Sequence, residues 1–256
     1  MSNIKNAFKK GKAFIPFITC GDPDLDITKE AVKALADNGA DLIELGIPFS
    51  DPTAEGPVIR DADMRALAGG VTTDDIFEMV NELRKDISIP MVFMTYANVV
   101  FSYGSERFMK NCSRVGIDGI ILPDIPFEEK DEFYDDCQRY GVDLISLVAP
   151  TSQERIRMIA SEARGFLYVV SSLGVTGTRR SITTDLNRIV TEARNYTDIP
   201  VCIGFGISTP EQASEISGLC DGVIIGSAIV KLLEKYGKKA PAHIGEYAGK
   251  ICRSIK

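Results

Sequence analysis

Two acidic side chains have the type and setting for proton chemistry. Glu44 interrupts an apolar run, Asp41-Leu42-Ile43-Glu44-Leu45-Gly46. A carboxyl buried at the end of a strand is disfavoured in its charged form, so its pKa climbs toward the range a general acid or base needs. The same position also suits an ion pair at a sheet rim. The segment that follows, Ile47 to Pro57, carries Pro48, Pro52 and Pro57 together with Asp51 and Glu55. It is long for a strand-to-helix connection, and long ordered loops are usually functional. Glu55 could face a substrate from the side opposite Glu44, or Asp51 and Glu55 could simply solvate an exposed loop.

Other residue types narrow the chemistry. The one histidine, His243, falls after the last strand candidate, where a surface helix position is expected. A metal-dependent cleavage needs a cluster of His and acidic ligands, so no metal is expected. No lysine falls within a strand candidate, which leaves Schiff-base chemistry unsupported. The six cysteines are widely spaced and several lie in apolar runs, as expected of a reducing compartment. Three glycine-containing turns, Gly174–Gly177, Gly204–Ser208 and Gly226–Ala228, are candidates for holding phosphate on backbone N–H groups. Glycine is also the ordinary residue of a short turn, and the case rests on three such turns in succession.

The elements that must position these groups alternate regularly. Apolar strand candidates are Phe14–Thr19, Asp41–Leu45, Met91–Met94, Gly119–Leu122, Asp143–Val148, Phe166–Ser171, Val201–Phe205 and Gly222–Ile225. Amphipathic stretches such as Thr28–Asp37, Thr73–Lys85, Glu106–Val115, Glu128–Tyr140, Ser152–Ala163 and Thr184–Asn195 lie between them. Strands that read as continuous apolar runs belong to a parallel sheet covered on both faces. Gly39-Ala40-Asp41, Gly116-Ile117-Asp118, Gly141-Val142-Asp143 and Gly218-Leu219-Cys220-Asp221 form a weak repeat, in which glycine fits the left-handed residue ending a helix. Ile89-Pro90 and Ile199-Pro200 open two further strands. Eight such units without a composition break predict one (β/α)8 barrel domain over residues 1–256 rather than an open doubly wound sheet, for which no G-x-G-x-x-G follows the first strand. Function then belongs in the loops leaving the strand C-termini. Hydrophobic residues are 45% and charged residues 25% of the chain, with net charge −7, which argues against a nucleic-acid partner. No apolar stretch is long enough for a membrane span, and no signal-peptide pattern is visible, so a cytoplasmic protein is expected.

Several long motifs in order carry a resemblance over nearly the whole chain. They are Phe14–Thr19 with Gly21-Asp22-Pro23; Glu44–Pro52 with Ala54 and Gly56-Pro57; Tyr96-Ala97-Asn98; Pro123–Pro126; Gly174–Gly177; Gly204–Ile207; and Gly226–Val230. With these motifs the chain resembles the tryptophan synthase alpha family. The resemblance implies retro-aldol cleavage of indole-3-glycerol phosphate to indole and glyceraldehyde 3-phosphate, with no cofactor in this chain. It implies that Glu44 moves protons, Glu55 steadies the indole ring nitrogen and Tyr168 supports the carboxylates, although that phenol also suits a core residue. Phe17 and Tyr96 would line the indole pocket. Gly177, Gly206, Gly226 and Ser227 would hold phosphate, and Thr176 would lie in a closing loop. A pyridoxal-phosphate beta subunit is the implied partner in an alpha2beta2 assembly, contacted through Pro48, Asp51, Pro52, Asn98 and the Asp124–Pro126 turn. One departure stands out: the family pattern usually has aspartate at Glu55 and an apolar residue at Thr53. Glutamate reaches roughly 1.5 Å further, so either the loop has adjusted or the chain cleaves slowly and serves mainly as a regulatory partner. A free-standing indole-releasing lyase and another phosphosugar barrel enzyme are the remaining readings.

Overall fold

The computed structural model describes residues 2–170, 179–204 and 206–256. Its strands are β1 (Ala13–Thr19), β2 (Ile43–Gly46), β3 (Met91–Met94), β4 (Gly119–Ile121), β5 (Asp143–Ile145), β6 (Leu147–Val148), β7 (Leu167–Val170), β8 (Val201–Gly204) and β9 (Gly222–Ile225). All pair in parallel in the order β5-β4-β3-β2-β1-β9-β8-β7-β6. β5 and β6 are one extended segment interrupted at Ser146, and this segment closes the ring. Its first half pairs with β4 and its second half with β7, while the Ser146 carbonyl accepts the Tyr168 N–H at 3.0 Å. The expected strand Asp143–Val148 is thus present in two pieces, and the architecture is the expected (β/α)8 barrel. Ser171 and Phe205, the expected ends of two strands, lie outside the described residues.

The helices are α1 (Leu25–Asp37), α2 (Pro57–Ala68), α3 (Thr73–Leu83), α4 (Ala97–Tyr103), α5 (Ser105–Val115), α6 (Asp131–Tyr140), α7 (Gln153–Glu162), α8 (Arg179–Arg194), α9 (Pro210–Ser217), α10 (Ser227–Tyr236) and α11 (Ala240–Ile255). Strand alternation sorts the side chains between two layers. Phe14 and Ile18 point out to the helices, whereas Ala13 and Ile15 point into the barrel with Leu42, Val92, Ile121, Phe166, Cys202 and Ile224. The N-terminal turn Ile4–Phe8 plugs this interior from below through Ile4 and Ala7. One layer higher, Phe17 packs with Ile59, Ala62 and Val230. The interior is a filled core, and the mouth above it is where polar groups collect.

The glycine–aspartate repeat has a physical reading at the lower rim. Gly39, Gly116 and Gly141 adopt positive φ of 100°, 81° and 70°, turning each helix back toward a strand. Gly218 does not; it stays at φ −62° because its turn has one residue more before the aspartate. The aspartates accept an N–H at the start of the neighbouring strand: Asp41 from Phe14 at 2.9 Å, Asp118 from Met91 at 3.0 Å and Asp221 from Val201 at 2.9 Å. Each is also paired with a cation, respectively Lys256, Arg84 and Arg194. Pro90 and Pro200 stand just before β3 and β8, where each offers only a carbonyl, taken by Ile43 and Leu167 N–H.

Asp118→Ala leaves the Asn3 and Met91 N–H groups and the mostly buried Arg84 without their shared acceptor. A loss of roughly 3–5 kcal/mol is expected from urea denaturation, with kinetic constants per folded molecule unchanged, because this rim lies at the end of the barrel opposite the catalytic loops. A stability change under 1 kcal/mol would contradict the assignment.

Candidate active site

Register and alternation place Glu44 inside the barrel, beside Phe17 on β1 and Val92 on β3. Its side chain is fully buried, and neither carboxyl oxygen has a hydrogen-bond partner among the described residues. Burial, and secondarily the charge of Glu55, pushes its carboxyl up to about 8. At neutral pH it therefore carries a proton that nothing in the fold is using. The rim ion pair open from sequence is not formed. Tyr168, on β7, sits close enough for Glu44, after burial, to push its phenol well above the ordinary range. It makes no hydrogen bond to Glu44, since that carboxyl has no partner. Its influence here is electrostatic and steric. The ring occupies the space over Gly204, where a Cβ would stand 2.5 Å from it.

Glu55 ends the loop after β2, where Gly56 caps α2 and Pro57 opens it. The loop is pinned by Tyr96. The Ala54 N–H donates to the Tyr96 hydroxyl at 3.1 Å, and Phe49 stacks on its ring at 5.2 Å and 28°. Tyr96 was expected to line the indole pocket; it is 2% exposed and braces the catalytic loop from behind. Glu55 Oε2 is buried without a hydrogen-bond partner. Burial raises the Glu55 carboxyl, opposed by a hydrogen bond with Asp63. Asp63 itself, on α2 and 3% exposed, is pushed up to about 9 by burial first and then by the charge of Glu55. Two carboxyls joined by a hydrogen bond must hold a proton between them. Asp63 was not anticipated. The signal was an aspartate on the buried stripe Ile59, Ala62, Asp63, Ala66 of an amphipathic helix.

Beside these acids lies a largely apolar cavity of about 500 Å³, whose walls include Ala54, Met94, Leu122, Leu147, Tyr168 and Val170. Ala54 precedes Glu55, and Tyr168 brings the cavity wall next to Glu44. Phe17 is not part of these walls. It is wedged between Gly46 and Gly226, where added Cβ atoms would meet its ring at 2.6 and 3.2 Å, and it forms the floor joining the acids to the eighth turn.

The two helices expected to offer amides to phosphate differ. At α9, Thr209 and Gln212 form a capping box, and the Gln212 carbonyl oxygen also takes the Ser208 and Thr209 N–H groups at 2.8 and 3.2 Å. Those donors are spent. At α10, Gly226 is the cap, no side chain caps the helix, and Ser227 is exposed at its first position. An anion cradle thus remains at α10 and not at α9. Gly206 precedes α9 at φ 77°, exposed, in a conformation that favours glycine. Thr176 and Gly177 lie outside the described residues.

On the expected partner face, Asp51, Asn98 and Pro126 are exposed and Pro52 is half-buried. Pro48 is buried within this chain, just before Phe49 stacks on Tyr96. Asp124 is exposed but already engaged. Both carboxylate oxygens accept the Ala97 N–H at 3.1 Å at the start of α4. His243 stacks on Tyr236 at 3.7 Å on the last helix.

A parallel barrel with buried, proton-holding carboxyls beside an apolar cavity and an uncapped helix N-terminus at its mouth has the build of a barrel enzyme of the acid–base class. Comparison with known proteins narrows this. A family model for the tryptophan synthase alpha chain matches residues 2–252. The tryptophan synthase alpha chain of Lacticaseibacillus casei is 49% identical over 251 residues, covering 98% of this chain and 94% of that one. That of Lactiplantibacillus plantarum is 47% identical, covering 100% and 97%. The crystal structure of tryptophan synthase subunit alpha from Legionella pneumophila str. Paris superposes with a TM-score of 0.90 at 36% identity, covering 100% and 98%. A chain of tryptophan synthase from M. tuberculosis in an open form gives 0.89 at 31%, covering 100% and 99%. The chain belongs to the tryptophan synthase alpha chain family.

The buried state of Glu44 has a thermodynamic signature. The folded chain keeps that proton to about pH 8, whereas the unfolded chain releases it near 4.5, so stability is lost as pH rises through this window. Glu44→Gln should gain Tm relative to the parent progressively between pH 4.5 and 8; a constant difference would mean that the carboxyl is not held neutral. At the other end, Ser227→Glu places a carboxylate in the cradle and should weaken inorganic phosphate binding by roughly tenfold or more, while Thr209→Ala leaves it unchanged. Equal losses in calorimetry would place the anion elsewhere.

Proposed function

We propose that this chain cleaves indole-3-glycerol phosphate to indole and glyceraldehyde 3-phosphate, the alpha reaction of L-tryptophan biosynthesis. The observation that carries the reading is Glu44, a neutral, unpartnered carboxyl beside an apolar cavity wide enough for an indole ring. Its proton goes to indole C3, leaving the ring cationic at nitrogen. The resulting carboxylate takes the proton of the glycerol hydroxyl. The bond from C3 to the carbinol carbon breaks, its electron pair returns to the ring, and an aldehyde forms. The proton lost by Glu44 in the first step is regained in the second, so no cofactor enters the balance. Glu55 meets the ring N–H through its unpartnered Oε2 as positive charge develops. Tyr168 forms the wall against which the ring is held, and its phenol stays protonated throughout. The amides opening α10, at Gly226 and Ser227, take the phosphate.

The partner in this reading is a pyridoxal-phosphate beta subunit in an alpha2beta2 assembly. Asp51, Pro52, Asn98 and Pro126 present the contact face. No helix among the described residues is long and apolar enough to cross a membrane, and the reading is of an enzyme working in the cytoplasm.

Glu44→Gln is expected to lower turnover by about 10²–10⁴-fold with inorganic phosphate affinity retained; near-normal turnover would remove the mechanism. In the parent, kcat/KM should fall as pH rises through about 8, where the donor form of Glu44 disappears. An assay of indole release with and without a beta subunit of a relative checks the partner: an unchanged rate would leave a free-standing lyase.

A further inference from the structure

We propose that Asp63 is a positioning residue for the reaction, forming with Glu55 a carboxyl pair that holds a single proton, so that Asp63 carries the proton while Glu55 faces the substrate ring as a carboxylate. The inference rests on the role given to Glu55 above and adds to it the group that sets the charge of Glu55.

The geometry leaves little choice. Asp63 lies two helical turns beyond Glu55 on α2, with its side chain on the buried stripe. It meets the Glu55 carboxyl in a hydrogen bond, and the Phe49 N–H lies near enough to draw its pKa down, though less than burial and Glu55 raise it. Of the two cations of the same helix, Arg60 is exposed and lies 3.6 Å from Asp61, and Arg65 is committed elsewhere. It grips Asp22, which is 1% exposed, through two bonds of 2.8 and 2.9 Å. The other groups facing the pair bring no positive charge. Asp22 approaches Asp63 from the turn after β1, Cys20 from the end of β1 and Tyr96 from ahead of α4, while Glu44 senses Glu55 from β2. Burial and these neighbours disfavour ionisation of both Cys20 and Tyr96, so both stay neutral and neither adds charge to the pair.

With no cation facing the pair among the described residues, two charges cannot both be buried there, and one proton must stay. The Phe49 N–H near Asp63 favours charge there, but burial and the charge of Glu55 outweigh it, and Glu55 Oε2 has no partner among the described residues. A ring N–H arriving at Oε2 favours the charge on Glu55 and the proton on Asp63. The helix therefore adjusts the electrostatics of the loop without touching substrate.

Two variants test this. Asp63→Asn keeps an N–H donor for Glu55 and an acceptor for Phe49 but has no proton to lose; Asp63→Ala keeps neither. At pH 7 the alanine variant should lose about 10–100-fold in kcat with inorganic phosphate affinity unchanged, and asparagine should recover to within about threefold of the parent. Above about pH 9, kcat/KM of the parent should fall with the square of proton concentration, as Glu44 and the carboxyl pair both ionise, whereas the asparagine variant should fall with the first power. Superimposable profiles for parent and asparagine, or equal losses for both variants, overturn the proposal. A readout that needs no turnover separates its failure from failure of the cleavage reaction. Calorimetry of 3-indolepropanol phosphate binding at pH 9, in buffers of different ionisation enthalpy, counts protons taken up on binding. The parent should take up more than the asparagine variant, and equal uptake overturns the pair even if the chain cleaves as proposed.

Discussion

A carboxyl without a countercharge, sealed in the mouth of a parallel barrel, is the constraint around which this molecule is arranged. Glu44 can be neutral at physiological pH only while water and cations are kept from it. Phe17 beside it, the Tyr168 ring across the cavity and the loop folded over by the Phe49–Tyr96 stack keep them out. Leu42 and Val92 fill the layer beneath. Glycine is required where those aromatic rings lie against backbone at Gly46 and Gly204, and a Cβ at Gly226 would crowd the Phe17 ring. Loss of any one would admit solvent to the acid or move the acid away from the cavity.

The two ends of the barrel treat carboxylates in opposite ways. At the lower rim Asp41, Asp118 and Asp221 are bonded to strand N–H groups and paired with Lys256, Arg84 and Arg194. At the mouth Glu44, Glu55 and Asp63 face no cation among the described residues and are neutralised by protons instead. The same residue chemistry thus gives order where the charge is satisfied and reactivity where it is not. The satisfied rim offsets the cost of the unsatisfied mouth.

Much of this was readable from the chain. The apolar runs located the strands because a parallel sheet is covered on both faces, and Glu44 stood out as the one charge inside such a run. The split of the fifth strand at Ser146 was not readable, since it arises from ring closure and serine suits either conformation. Nor was the burial of Pro48 or the bracing role of Tyr96, which depends on how far a hydroxyl reaches across to Ala54. Two misses had a visible signal. Ser208-Thr209-Pro210-Glu211-Gln212 is a helix-start pattern that consumes its own amides, and Asp63 breaks an otherwise apolar helical stripe. Both turn on what a polar group bonds to, which spacing indicates only when each donor is assigned an acceptor.

The break at Ser146 has a consequence for the shape of the cavity. The wall there includes the shortest ladder in the ring, the two register pairs of β6 with β7, with Tyr168 paired directly to Leu147. Elsewhere a wider ring system would have to displace interlocked aliphatic side chains. Along this seam it can be accommodated by spreading two short strands, so tolerance for enlarged aromatic ligands is built into one meridian of the barrel.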